Sequence, residues 1–231
     1  MKVIGLVGSP NKNGNTSFLV SEVLKSAKAQ GADTELLFLA DYNIQDCKGC
    51  NSCVKYKKCP QWETDDFHKV IEKLLDANAV VFGAPSYGGS VPGLMKRFLD
   101  RCRLMRMQDF RLKNKIAAFV TTAGLRSGGQ ELVALALANF ALMEGMLVVG
   151  DCSEPVGIAP FAHGALQTDT GWRYVKNDSV AIRAAQALGK RIVDVMELLK
   201  SEKCRPHTEV QSIWSCRYGF RIDECNIYLW T

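Results

Sequence analysis

No run of eighteen apolar residues occurs anywhere in the chain, so no segment reads as a membrane span. No block of five or six basic residues occurs either, and the formal net charge is a modest +5, which argues against nucleic acid as a partner. The apolar start, Val3 to Val7, is too short for the core of a secretory signal, and Gly8-Ser9-Pro10 breaks it at once. A cytoplasmic protein is therefore expected. Histidine is scarce, and His68, His163 and His207 have no partner at a metal-ligand spacing. Neither a Walker pattern, which needs Gly-Lys-Ser/Thr, nor GxGxxG is present. Internal repeats are lacking as well.

Cysteine is what the chain has in quantity. Nine of them in an unexported chain are poor material for disulfides and better read as metal ligands or redox groups. Four fall together as C-x2-C-x2-C-x5-C, at Cys47, Cys50, Cys53 and Cys59, with Pro60 immediately after. The first three are close enough to face one point without help from distant chain. Structural zinc usually takes two C-x2-C or Cys/His pairs across a longer spacer. The pattern here is nearer the ferredoxin run C-x2-C-x2-C-x3-C-P, and without a second run Cys59 is expected to close the same site. A [4Fe–4S] cluster is the favoured occupant, with zinc and free redox-active thiols as alternatives. Lys48, Lys55, Lys57 and Lys58 would favour the reduced cluster and raise its potential, unless they form a solvated face. Cys102 and Cys152 read as inert small hydrophobes.

Around that run the chain alternates short apolar segments with amphipathic ones. At 47% hydrophobic residues it can build a sizeable core. Strands are expected over 2–7, 34–39, 79–83, 115–121 and 146–150, and helices over 16–30, 64–76, 93–107, 129–144 and 179–199. The strands are almost continuously apolar, as in a parallel sheet covered on both faces. Parallel strands send their following loops to one edge of the sheet, where α/β proteins bind ligands. The loops starting at residues 8, 84 and 122 and the cysteine loop (40–63) should therefore converge. A long loop over 153–177 reads as functional or as a subunit contact. The last segment, 203–231, shows no period and reads as a tail.

Each converging loop carries usable chemistry. In the first, hydroxyls of Ser9, Thr16 and Ser17 and amides of Asn11 and Asn15 precede a helix N-terminus, a setting that suits a phosphate dianion. The same residues also suit a plain Asn/Gly turn with a helix cap. In Pro85-Ser86-Tyr87-Gly88-Gly89, Tyr87 can lie against a flat ring while the glycines let backbone approach closely. Thr122-Ala123-Gly124-Leu125-Arg126-Ser127-Gly128 has the same character with one cation added. Arg126 taken alone reads as a solvated surface residue.

Gly8-Ser9-Pro10 with Asn13-Gly14-Asn15-Thr16, Pro85-Ser86-Tyr87-Gly88 and Gly128-Gly129-Gln130-Glu131 resemble the flavodoxin-like NADPH-dependent FMN reductase family. With the cysteine run after strand two, the chain resembles its iron–sulfur flavoprotein branch over roughly residues 1–199. The resemblance implies an α/β fold: a flavodoxin-like, doubly wound, five-stranded parallel sheet with helices on both faces, forming one domain over 1–202. It implies FMN, its phosphate on Ser9, Asn11, Asn15, Thr16 and Ser17, its ring between Pro85, Ser86, Tyr87, Gly88 and Gly89 and the loop of Thr122, Ala123, Gly124, Arg126 and Gly128. Lys12 would compensate for Asn11, where the family often carries arginine. It further implies a homodimer or homotetramer that passes electrons between one-electron donors and a two-electron acceptor. A small redox protein or a small molecule would serve as partner. The other readings are an NAD(P)H-dependent FMN or quinone reductase with the cluster absent or auxiliary, and a zinc-stapled binding module.

Overall fold

Alternation along the central strands builds two cores, one on each face of a single sheet. In β1 (Lys2–Val7), Ile4 and Leu6 face one way while Val3 and Val7 face the other. The same split separates Val80 and Phe82 from Ala79 and Val81 in β3 (Ala79–Pro85). In β4 (Ile116–Ala123) it separates Ala117 and Phe119 from Ile116, Ala118 and Val120. One face packs against α3 (Phe67–Asp76), α4 (Gly93–Arg101) and α6 (Gln130–Met143). The opposite face packs against α1 (Asn15–Ala29) and α7 (Ser179–Glu202). This computed structural model describes residues 1–152 and 161–202, without the side chains of 201 and 202. The expected tail over 203–231 and part of the expected long loop, 153–160, lie outside the described residues.

The sheet is parallel, in the order β2-β1-β3-β4-β5, with β2 at Asp33–Phe38 and β5 at Leu147–Val148. That is the flavodoxin-like winding, with its switch point between β1 and β3. There Val7 pairs with both Phe38 and Gly83. The fifth position differs from the expectation of one strand over 146–150. Only Leu147 and Val148 pair, alongside Ile116 and Ala117, and the position is then resumed by β6 (Ala162–Ala165) alongside Val120 to Ala123. Part of the stretch read as a loop is therefore strand. Its small residues fit the space, since a Cβ on Gly164 would meet Val175 at 2.7 Å and Leu19 at 3.1 Å.

The helices end where local chemistry stops them. After α1, Gly31 turns left-handed, and the N–H groups of Gly31 and Ala32 close back on Lys28 and Ala27 carbonyls. The helix expected over 93–107 divides at Cys102 into α4 and a short segment; α2 is Ser52–Tyr56 inside the cysteine loop, and that short segment is α5 (Arg103–Met107). The Cys102 N–H is shared between the Phe98 and Leu99 carbonyls, and Met105 bonds back to Cys102 three residues away, which tightens the turn. Contacts divide the chain into Met1–Met196, which holds the whole sheet, and Glu197–Thr231, of which residues 197–202 are described. Among the described residues, no helix is long and apolar enough to cross a membrane.

Candidate cofactor sites at one edge of the sheet

Three loops at the carboxyl ends of β1, β3 and β4 are bonded to one another. Gly8 donates its N–H to the Gly83 carbonyl at 2.7 Å, and Ser86 donates its N–H to the Thr122 carbonyl at 2.7 Å. Buried Thr16 and Thr122 share a hydroxyl–hydroxyl bond of 2.7 Å, which uses one of their two hydrogens. Ser86 Oγ donates to the Gly128 carbonyl at 2.5 Å. At the next residue, a Cβ on Gly129 would lie 2.8 Å from Gly89 Cα. Tyr87 and Ser90 exchange two backbone bonds around Gly88 and Gly89, both with positive φ, as in a primed two-residue hairpin turn. Glycine is favoured there by the positive φ, and Tyr87 is left half exposed at the tip.

The first loop presents donors at the start of α1. Gly14 occupies the cap position without a side-chain cap, so the first-turn N–H groups have no intrahelical partner. Ser9 is buried and accepts the Asn11 N–H at 3.2 Å, leaving its own hydroxyl hydrogen available. Asn15 accepts the Val175 N–H at 3.1 Å, so its amide hydrogens remain unused among the described residues. Ser17 is committed differently, donating to the Gly14 carbonyl at 3.2 Å. Lys12 reaches Asp41 at 2.5 Å, but both side chains are about half exposed, and such a pair is worth at most about 1 kcal/mol. That tie is weak enough to yield to an anion.

The chain beyond β6 supplies a wall that the sequence did not reveal. Leu166 and Gln167 donate N–H groups to the Ala123 and Gly124 carbonyls at 3.1 and 2.9 Å, extending the ladder along the fourth loop. Gln167 accepts the Arg126 N–H at 3.2 Å, and the Arg126 guanidinium pairs with Asp169. Trp172 stands exposed beside Gly124. Buried Gln130 ties the fourth loop across its base, accepting from Gly128 N–H at 3.1 Å and donating to the Arg126 carbonyl at 2.7 Å. His163 pairs with Thr121 inside the sheet edge, and burial lowers its pKa.

The cysteine loop is built differently. Cys47, Cys50, Cys53 and Cys59 all line one pocket, with Gly49, Arg101 and Leu104. Left-handed turns at Gly49, Asn51 and Lys57 wrap the backbone around it. Ser52 beside Cys50, at 3.4 Å, lowers that thiol's pKa, and Lys48 adds a smaller attraction for the thiolate, the ligating form. Yet among the described residues no three Cys, His, Asp or Glu side chains are close enough to hold a metal ion as they stand. Order is concentrated at the loop's ends. Buried Asp65 accepts the Gln45 and Phe67 N–H groups, each at 3.0 Å, and pairs with buried Arg101. Arg101 in turn donates to the Gln45 carbonyl at 3.2 Å and the Gln61 carbonyl at 3.3 Å. Burial would raise the Asp65 pKa, but the Arg101 bond and the two N–H groups more than offset it and hold it below the ordinary carboxylate value.

The sequence pattern of the NADPH-dependent FMN reductase family matches residues 1–159. The chain belongs to that family. It is accordingly a flavin-dependent oxidoreductase by descent. It is also 44% identical over 201 residues to an iron-sulfur flavoprotein of Archaeoglobus fulgidus, covering 87% of this chain and 98% of that one. Two solved structures share the fold. RosB with a bound 8-demethyl-8-formylriboflavin-5'-phosphate intermediate has a TM-score of 0.67 at 15% identity, covering 100% of this chain and 95% of that one. A flavodoxin from the domain Archaea has a TM-score of 0.52 at 18% identity, covering 85% and 99%.

Both cofactors of the family resemblance find suitable donors. For FMN these are a capless helix N-terminus, a buried serine hydroxyl and unused asparagine hydrogens, with open space beside Gly88 and Gly89. For a cluster the donor set is four thiols around one pocket, the soft ligands that iron–sulfur centres take.

Proposed function

We propose that this chain carries FMN and a [4Fe–4S] cluster and moves electrons between one-electron donors and a two-electron acceptor. The carrying observation is that all four cysteines of the C-x2-C-x2-C-x5-C run line one pocket, in the loop that leaves β2 at the edge from which the flavin-family loops also leave. When bound, FMN supplies the exchange between two-electron and one-electron chemistry, and the cluster supplies a one-electron port.

The chain's own residues bind and orient. Ser9, Asn11, Asn15, Thr16 and Ser17, with the first-turn N–H groups of α1, hold the phosphate, and Lys12 adds charge once released from Asp41. Pro85, Ser86, Tyr87, Gly88 and Gly89 face the ring from one loop; Thr122, Ala123, Gly124, Arg126 and Gly128 face it from the other. Cys47, Cys50, Cys53 and Cys59 hold the cluster. The partners are a small redox protein or a small-molecule donor or acceptor, in the cytoplasm. Self-association to a homodimer or homotetramer belongs to the same proposal, because α6 leaves Leu132, Leu135, Leu142 and Met143 exposed along one helix. The domain runs over 1–202, and the tail over 203–231 is assigned no role.

Membership in an NADPH-dependent family favours one second reading, a reductase that takes hydride from NAD(P)H with the cluster absent or auxiliary. Anaerobic purification followed by an absorption spectrum and assays of iron, sulfide, zinc and flavin separates the two. About four iron and four sulfide per FMN are expected. Flavin without iron in an intact anaerobic preparation contradicts the proposal and selects the reductase.

A further inference from the structure

A guanidinium has five N–H donors, two on each Nη and one on Nε. Four of those of Arg101 are accounted for by the frame of the cysteine loop. Nη1 donates to the Gln45 carbonyl and to Asp65, and Nη2 donates to the Gln61 carbonyl at 3.3 Å and to Asp65 Oδ1 at 3.4 Å. These carbonyls lie two residues before Cys47 and two residues after Cys59, so one side chain grips the loop at both ends. The guanidinium is fixed further by the Phe67 ring, 4.9 Å away. Its side chain is 1% exposed.

The fifth donor is the exception. Arg101 Nε is buried and has no hydrogen-bond partner among the described residues. Buried donors are almost always paired, and one left alone needs an explanation such as an ion or ligand. Arg101 is also part of the wall of the pocket that the four cysteines line.

Resting on the cluster reading above, we propose that Arg101 both frames the cysteine loop through its Nη groups and donates its Nε–H to a sulfur of the iron–sulfur cluster. An N–H donor at a cluster sulfur stabilises the more negative, reduced state, so Arg101 raises the cluster's potential. Arg101 is on this account a positioning residue that also tunes the group it positions.

The test compares wild-type protein with Arg101→Lys and with the double variant Arg101→Gln, Asp65→Asn, all purified anaerobically. The double variant leaves the summed charge of the pair unchanged and removes both the fork and the Nε–H. Three quantities are read: iron and sulfide per FMN, the cluster's midpoint potential, and limited proteolysis within 45–61 of the iron-free protein. Both variants are expected to keep FMN, to lose at least half of their iron, and to be cut faster within 45–61. The cluster that the double variant retains is expected at a more negative potential than wild type. Variants that match an iron-loaded wild type in iron content, potential and cleavage rate overturn the proposal. A variant that is cut faster but keeps the wild-type potential overturns the Nε donation and leaves only the frame. Wild-type protein without iron overturns the cluster reading itself, and the cleavage rates then still decide whether Arg101 frames the loop.

Discussion

The flavin loops and the cysteine loop leave the same edge of the sheet but are held in opposite ways. The loops after β1, β3 and β4 and the elements flanking them are bonded to one another through Gly8–Gly83, Thr16–Thr122 and Ser86–Gly128, and Gln130 ties the fourth loop across its own base. The cysteine loop is gripped at its ends by Asp65 and Arg101, while its thiols line a pocket without forming a ligating group. A flavin presents many weak contacts and needs a surface already shaped, since ordering loops on binding subtracts from affinity. A metal centre makes a few strong bonds and can complete its own site, so its binding free energy is also folding free energy. On the proposed reading, one region carries its order in hydrogen bonds and the other would complete its order by binding a cluster.

The largest effect expected from breaking this contrast is in Cys50→Ser. Iron should be lost almost completely while FMN stays bound, read by iron assay and flavin absorbance on one sample; loss of both would mean that the two regions are not independent. Next comes Asp65→Asn, which leaves buried Arg101 without its charge partner and should cost about 3–5 kcal/mol of unfolding stability. Because the folded-state pKa of Asp65 is depressed, its contribution is fully present above the unfolded value of about 3.9 and is lost as pH falls through the folded one. Denaturant melts at pH 7 and pH 3 should therefore show the gap between wild type and variant shrinking in acid.

Gly129→Ala should act on the other region alone. Its φ of +86° and the 2.8 Å approach to Gly89 Cα force the two flavin loops apart. A cost of about 1–3 kcal/mol, or roughly tenfold to hundredfold weaker FMN binding, is expected in a fluorescence titration, with iron content unchanged. Smallest is Lys12→Ala, which removes the exposed tie between the first flavin loop and Asp41 at the start of the cysteine loop. Under about 1 kcal/mol of stability should be lost, and salt should erase the difference.

The sequence made the central strands and the cysteine run legible for physical reasons. Strands covered on both faces must be apolar throughout, and thiols crowded into a short loop have few other uses. What stayed hidden depended on partners remote in the chain. Arg101 and Asp65 are 36 residues apart, and neither shows a local sign of burial. Ala162–Ala165 carries no β-branched residue and is strand only because β4 offers it an edge. The wall made by Leu166, Gln167 and Trp172 depends on that strand and was hidden with it. Gln130 was visible as part of a family-like motif, but its bridging role needed the loop's closed shape.

The most direct measurement is amide hydrogen exchange on the FMN-loaded protein before and after anaerobic reconstitution with iron and sulfide. Protection is expected to rise across 47–59 while the loops at 8–14 and 124–130 stay as they were. Unchanged exchange across 47–59, with iron absent from the reconstituted protein, would contradict the claim that this loop is completed by a cluster.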